Sequence, residues 1–290
     1  MIRVVEKILI VLTAIVVLLA TFLMPPFNKV LISMTVMHFY SASCAEEALP
    51  ASEGIELNIP GGGESEAHDW FPFVMTFHPG ETFGSYIGQN TSLSILYNFG
   101  DFDPQAGCSS LYDPQSPYYS SFYGAYLVKN ENGSPYGFVH TSDGKIAGIE
   151  QKDVAAVARF DYQKLVLREF GLTRKNAVFD FTVDSILENV DYAGSGGWYR
   201  IDARLTVNGC GHKKTEFVRS YMQYGIPAYD VEEDLAPVGM YGRMYGKFIE
   251  EKGVSVFFYI IAADMTVLEE TDREILGKST LTISSREARI

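Results

Sequence analysis

Cysteine is scarce in this chain, with Cys44, Cys108 and Cys210 alone among 290 residues. There is no CxxC pair and no Cys/His spacing typical of zinc, so no structural metal is expected. No GxSxG elbow, P-loop or GxGxxG fingerprint occurs, which removes the usual α/β-hydrolase nucleophile, the phosphate cradle and the dinucleotide turn. No cofactor is expected. Basic residues are also few, 23 against 36 acidic, for a net charge of -13. Arg3, Lys7 and Lys29 against Glu6 give residues 1–45 a charge of +2 and leave -15 to the rest. A body that acidic disfavours nucleic acid, because a polyanion gains nothing by approaching it. It equally disfavours electrostatic adhesion to anionic lipid.

What the chain has in plenty is apolar sequence at its start. Ile8–Met24 (ILIVLTAIVVLLATFLM) carries no charge, and as a helix would span ~25 Å, close to the ~30 Å hydrocarbon core. Pro25 and Pro26 end it, since neither donates a backbone hydrogen bond. Arg3 and Lys7 precede the run, so the positive-inside bias leaves the N-terminus in the cytoplasm and the body outside. A second apolar stretch, Val30–Tyr40, runs into Ser41-Ala42-Ser43-Cys44-Ala45, small residues of the kind a signal peptidase accepts. Three forms of export follow: a retained anchor, cleavage near Cys44, or a start at Met24 that makes Met24–Ala45 a signal peptide of ordinary length. Lipidation of Cys44 is a further form, although Ser41 stands where a lipobox usually has leucine. A hairpin back to the cytoplasm is disfavoured by His38 and the Ser/Thr content of the second stretch.

Three regions result: a signal or anchor over 1–45, a flexible acidic tether over 46–67 and one globular domain over 68–290. The domain reads mostly as strand, at Phe73–Phe77, Leu93–Phe99, Phe122–Val128, Val178–Val183, Trp198–Val207, Thr215–Met222 and Ser279–Ser284. Trp198–Val207 and Thr215–Met222 form the expected hairpin, and Ser279–Ser284 is placed to close the sheet. The unbroken apolar run Val254–Ala262 suggests a central strand covered on both faces. Apolar spacing over Asp153–Phe170, followed by Gly171, predicts the main helix, and a shorter one includes Arg273–Gly277. The expected class is α+β and β-dominated: antiparallel sheet in a sandwich or open barrel, flanked by one main helix over 153–170.

Candidate chemistry is sparse. His68 and Asp69 precede the first aromatic strand and His78 follows it, but that strand would hold its two ends ~30 Å apart. Asp101 and Asp103 open a loop with carboxylates suited to calcium, yet Ala106 and Tyr112 fall where an EF-hand needs Gly and Glu. Cys210 and His212 lie two apart in a turn whose neighbouring residues point apart. In an oxidising compartment the natural pairing is a Cys108–Cys210 disulfide, with two buried thiols as the alternative. Tyrosine is frequent, 18 in all, and dense around Tyr118, Tyr119 and Tyr123 and again at Tyr224, Tyr229, Tyr241 and Tyr245. Its flat apolar body and polar tip suit protein or glycan surfaces, and also the half-buried faces of sheets. The leading expectation is a membrane-tethered or exported bacterial-type protein, in the periplasm or at the cell surface. It binds a protein or glycan partner through tyrosine-rich loops, in a recognition, inhibitor or immunity-like role. The alternative is an extracytoplasmic hydrolase using His68, Asp69, Asp101, Asp103 or His212 for acid–base work.

Overall fold

The structure is a computed structural model that describes residues 2–23, 39, 42–60, 73–99, 102–103, 108–109, 115–169, 178–209 and 236–284. The first helix, α1, is Ile2–Leu23, roughly 33 Å long at 1.5 Å per residue. Its side chains from Leu9 to Leu19 are exposed around the whole circumference, Leu9 at 65%, Val16 at 62% and Ile15 at 46%. A core helix would have hidden one stripe of these. Among the described residues no helix is long and apolar enough to cross a membrane; the side chains described without a break in α1 are those of Leu9–Ala20, roughly 18 Å.

The body does not begin with a tether. Residues 42–47 are helical, and α2 (Leu49–Glu53) and β1 (Ile55–Asn58) follow directly. Ala48, Leu49 and Ile55 are buried, and the Leu49 amide donates to Ser94 Oγ at 2.9 Å. The acidic segment expected to be flexible from residue 46 is therefore folded through β1, while 61–67 lie outside the described residues. Its acidic composition hid three apolar positions that suffice to seat it.

The main element is a seven-stranded antiparallel sheet ordered β2-β3-β6-β12-β11-β10-β9. These strands are β2 (Phe73–Phe77), β3 (Thr91–Phe99), β6 (Phe122–Asn130), β9 (Phe179–Tyr192), β10 (Ser195–Asn208), β11 (Pro237–Ile249) and β12 (Val254–Ala262). β12 is the middle strand and all nine of its residues are buried. Its alternate side chains feed two cores. Phe257, Tyr259 and Ile261 join Tyr126 and Val128 of β6 on the first face. Val256, Phe258 and Ile260 join Tyr123, Ala125 and Leu127 on the second. Side chains of successive residues leave a strand on opposite sides, so a strand covered on both faces is apolar without alternation. Each such side chain, fully buried, contributes about 1.5–3 kcal/mol.

α4 (Gln151–Arg159) and the π-helical turn sequence Phe160–Glu169 cover the first face, with the small hairpin β7 (Phe138–His140) and β8 (Ile146–Ile149). Between β2 and β3 lies α3 (Thr82–Ile87), whose Phe83 completes that core. The expected helix over 153–170 is thus present, but widens to π geometry where Phe160, Asp161 and Tyr162 are buried consecutively, more than one helical stripe can bury. α5 (Met265–Glu274) covers the second face together with α2 and the two-stranded sheet of β1 and β13 (Thr280–Ile283). The class is β-dominated and antiparallel, and the sheet is open. β13 does not close the main sheet as expected; it pairs with β1. The hairpin partner of β10 is β9, through Ala193-Gly194, both at positive φ (47 and 78) as a type I′ turn requires. Thr215–Met222 lie outside the described residues.

Candidate binding groove

Most candidates named from the sequence fall beyond what is described: His68, Asp69, Asp101, His212, Cys210, Tyr224 and Tyr229. The Cys108–Cys210 pairing lies outside the described residues for the same reason. Asp103 stands opposite Cys108 in a two-residue ladder between β4 (Phe102–Asp103) and β5 (Cys108–Ser109). His78 meets Glu47 at 3.2 Å, with both side chains exposed, at 48% and 64%.

Of the tyrosines expected on binding loops, two are buried within the sheet. Tyr123 is on β6, buried, and its hydroxyl donates to the Pro60 carbonyl at 3.1 Å. Tyr245 is on β11, stacked on Tyr192 with centroids 4.0 Å apart, and donates to Asp272 at 3.0 Å. Tyr241 is also on β11 and half-buried; Tyr118 and Tyr119 are half-buried in the turn before β6. The physical reason is the doubly covered sheet. A tyrosine on it buries its ring and sends its hydroxyl to a polar group in the covering layer.

Three polar centres remain. The first is Arg243 on β11, 6% exposed, whose Nε donates to Asp202 at 2.7 Å while Nη1 and Nη2 reach Asp272 at 2.6 Å and Glu269 at 3.1 and 2.9 Å. Arg200 also donates to Asp202, at 2.7 and 3.0 Å. Four donors of one guanidinium are engaged, so this is a closed clamp between α5 and the sheet rather than a ligand site.

The second lies under the π segment. The Tyr126 hydroxyl donates to buried Asp161 at 2.5 Å, and Tyr259 stacks on Tyr126 at 4.2 Å beside a cavity of about 20 Å³. The Tyr259 hydroxyl lies beside Tyr126 and Asp161 but makes no well-aligned hydrogen bond among the described residues, and burial first, then the Asp161 charge, holds its pKa well above the ordinary phenol value. The two phenols should therefore respond oppositely to loss of their oxygens. Tyr259→Phe is expected to be neutral or to stabilise by up to about 1 kcal/mol, and Tyr126→Phe to cost about 1–3 kcal/mol by stripping a donor from a buried carboxylate. Urea unfolding of both variants checks this; equal losses would contradict the arrangement.

The third is an open groove of about 730 Å³. One wall is the β9–β10 turn at Ser195. Another is the end of β11 and the turn after it, Lys247–Glu251, and the last is β13 at Leu281–Ile283. Lys247 anchors the first wall: its Nζ donates to Ser195 Oγ at 3.0 Å and to the Gly196 carbonyl at 2.7 Å, and it lies 5.6 Å from the Trp198 ring centre. Trp198 Nε1 donates to the same Ser195 Oγ at 3.1 Å. Burial lowers the Lys247 pKa, yet both of its contacts are acceptors that use the ammonium form. A serine whose lone pairs are both engaged is a poor nucleophile, so the pair stiffens the hairpin. No local motif announces this groove, because its walls come from three segments far apart in sequence. No family model, curated protein or solved structure matches the chain.

Proposed function

We propose that the chain is a membrane-tethered binding protein whose acidic body stands outside the cytoplasm and captures a protein partner. The carrying observation is α1: apolar side chains from Leu9 to Leu19 exposed on every side, in a helix whose first turns hold Arg3 and Lys7. A surface of that kind needs a covering, and the charged first turns before an uncharged run fit an anchor that starts in the cytoplasm. Tyr123 and Tyr245 are buried in the sheet and give a partner no surface. The groove lined by Lys247, Phe248 and β13 is a concave surface that supports binding. The hydrolase reading draws no support from the described residues, where the His78–Glu47 contact is exposed rather than enclosed.

Protease added to intact cells should digest the body. The chain should also sediment with membranes and be released by detergent but not by high salt. N-terminal sequencing of the recovered material separates a retained Met1 from a start at Cys44, Ala45 or Glu46. A body protected in intact cells and digested only after lysis overturns the proposal.

A further inference from the structure

Among the described residues, the outer edge of β13 in its two-stranded sheet with β1 has no strand beside it, and β13 lines the groove. The Ser284 amide donates to the Gly54 carbonyl at 2.8 Å, and the register continues with Thr282 opposite Glu56 and Thr280 opposite Asn58. Along an antiparallel strand, each residue's N–H and C=O point to one side and the next residue's to the other. Ser284, Thr282 and Thr280 therefore bond toward β1, and Leu281 and Ile283 direct their backbone groups away from it. Among the described residues no strand pairs with that edge. Leu281 and Ile283 line the groove, while their side chains pack on the second core. The edge is thus held from below, with no strand on its donors and acceptors among the described residues.

The opposite wall supplies charge. Glu250 and Glu251 stand exposed at its rim, while Phe248 packs on the first core and Ile249 is buried in the second. Apolar surface comes from Leu281 and Ile283 themselves, both partly exposed. The neighbouring cations are engaged elsewhere, Lys247 with Ser195 and Gly196 and Lys252 with the Ser284 carbonyl at 3.4 Å.

We infer that the free edge of β13 is a strand-addition site for an extended segment of a partner protein in which apolar and basic side chains alternate. The peptide backbone pairs with Leu281 and Ile283, its apolar side chains lie beside theirs on the face toward the second core, and its basic ones reach Glu250 and Glu251. This rests on the binding role proposed above, but not on the membrane tether, which the protease assay tests separately.

The test uses the full chain in detergent micelles and fluorescence anisotropy of a labelled octapeptide that alternates valine and lysine. Two N-methylated forms, one carrying methyls on the valine amides and one on the lysine amides, separate backbone pairing from charge. Adjacent amides of an extended peptide point to opposite sides, so one form should bind at least about tenfold more weakly and the other within about threefold of the parent. Joint Glu250→Lys and Glu251→Lys substitution, in an exposed turn, should weaken the parent peptide about tenfold. Ile283→Pro removes a free-edge donor without touching a β1 hydrogen bond and should also weaken binding. Equal binding of both methylated forms overturns the inference, as does equal binding of a valine–glutamate peptide or no saturable binding up to about 1 mM. A dimer in detergent that Ile283→Pro dissolves would assign the edge to a second copy of the chain and equally overturn it.

Discussion

Arg243→Ala should destabilise the body by about 3–5 kcal/mol, the cost of removing one partner from a buried ionic cluster. Asp272 and Asp202 have side chains only 14% and 23% exposed, and both lie against this guanidinium. Without it, Asp272 keeps the Tyr245 hydroxyl and Asp202 keeps Arg200, and α5 loses its clamp on β11. Arg204→Ala is the comparison. Its pair with Asp184 is open, at 66% and 38% exposure, and solvent screens such a pair, so its loss should change stability far less.

The same cluster sets the acid limb of stability. The hydrogen bond from Arg243 holds the Glu269 pKa below its ordinary value. Burial pushes Asp202 up, but the hydrogen bonds and charges of Arg200 and Arg243 outweigh it and leave Asp202 low as well. Carboxylates depressed in the folded state stabilise it above the unfolded pKa near ~4, and that contribution is lost as pH falls through the folded values. Urea midpoints at neutral pH and in acid should therefore fall steeply for the native chain and less steeply for Arg243→Ala. A variant within about 1 kcal/mol of the native protein at neutral pH would remove the clamp as an explanation for how α5 is held.

Gly124→Ala carries the second large effect. Gly124 lies on β6 between Tyr97 of β3 and Tyr259 of β12. A Cβ there would collide with the Leu96 backbone carbonyl and sit 3.1 Å from the Tyr259 hydroxyl. A side chain can rotate out of a clash, but a backbone carbonyl in the middle of a ladder cannot. Relief requires β3 to move, and β2 pairs with β3 beyond it. The expected loss is at least about 3 kcal/mol, above the usual range for overpacking because the obstacle is main chain. Gly239→Ala, with nothing within 4 Å of the added methyl, should change stability by no more than about 0.5 kcal/mol. Thermal melts followed by circular dichroism compare the two, and similar midpoints would contradict the close packing of β3 on β6.

Strands that declare themselves by apolar content were legible. Phe73–Phe77 and Val254–Ala262 are strands with those bounds, because a doubly buried strand has no reason to carry polar residues. β11 was not. Its sequence PVGMYGRMYGKFI has three glycines and reads as a tyrosine-rich loop, since glycine is poor in strand propensity. Those glycines are demanded by the neighbours. A Cβ on Gly242 would meet Leu205 Cδ1 at 2.8 Å, and one on Gly246 would meet the Phe257 ring at 2.8 Å. Only the packed sheet reveals that Leu205 and Phe257 occupy the missing side-chain volume. β1 and α2 were masked by acidic composition, although Leu49 and Ile55 alone fix them in the second core. The groove was illegible for another reason. Its open edge depends on which residues of β13 bond to β1, and that parity is a property of pairing, not of local sequence.

The start of the folded body constrains when the chain can be trimmed. The small-residue run that resembles a cleavage site leads into a helical turn, and the Cys44 carbonyl accepts a hydrogen bond from Thr76 at 3.1 Å. Four and five residues further on, Ala48 and Leu49 are already inside the core. A peptidase arriving after folding would have to peel this segment off the sheet, whereas one acting during export would meet it as open chain. On the export proposed above, processing near Cys44 and folding would be competing clocks. A chain that folded first would keep its N-terminal segment, so slow processing would favour the uncleaved form.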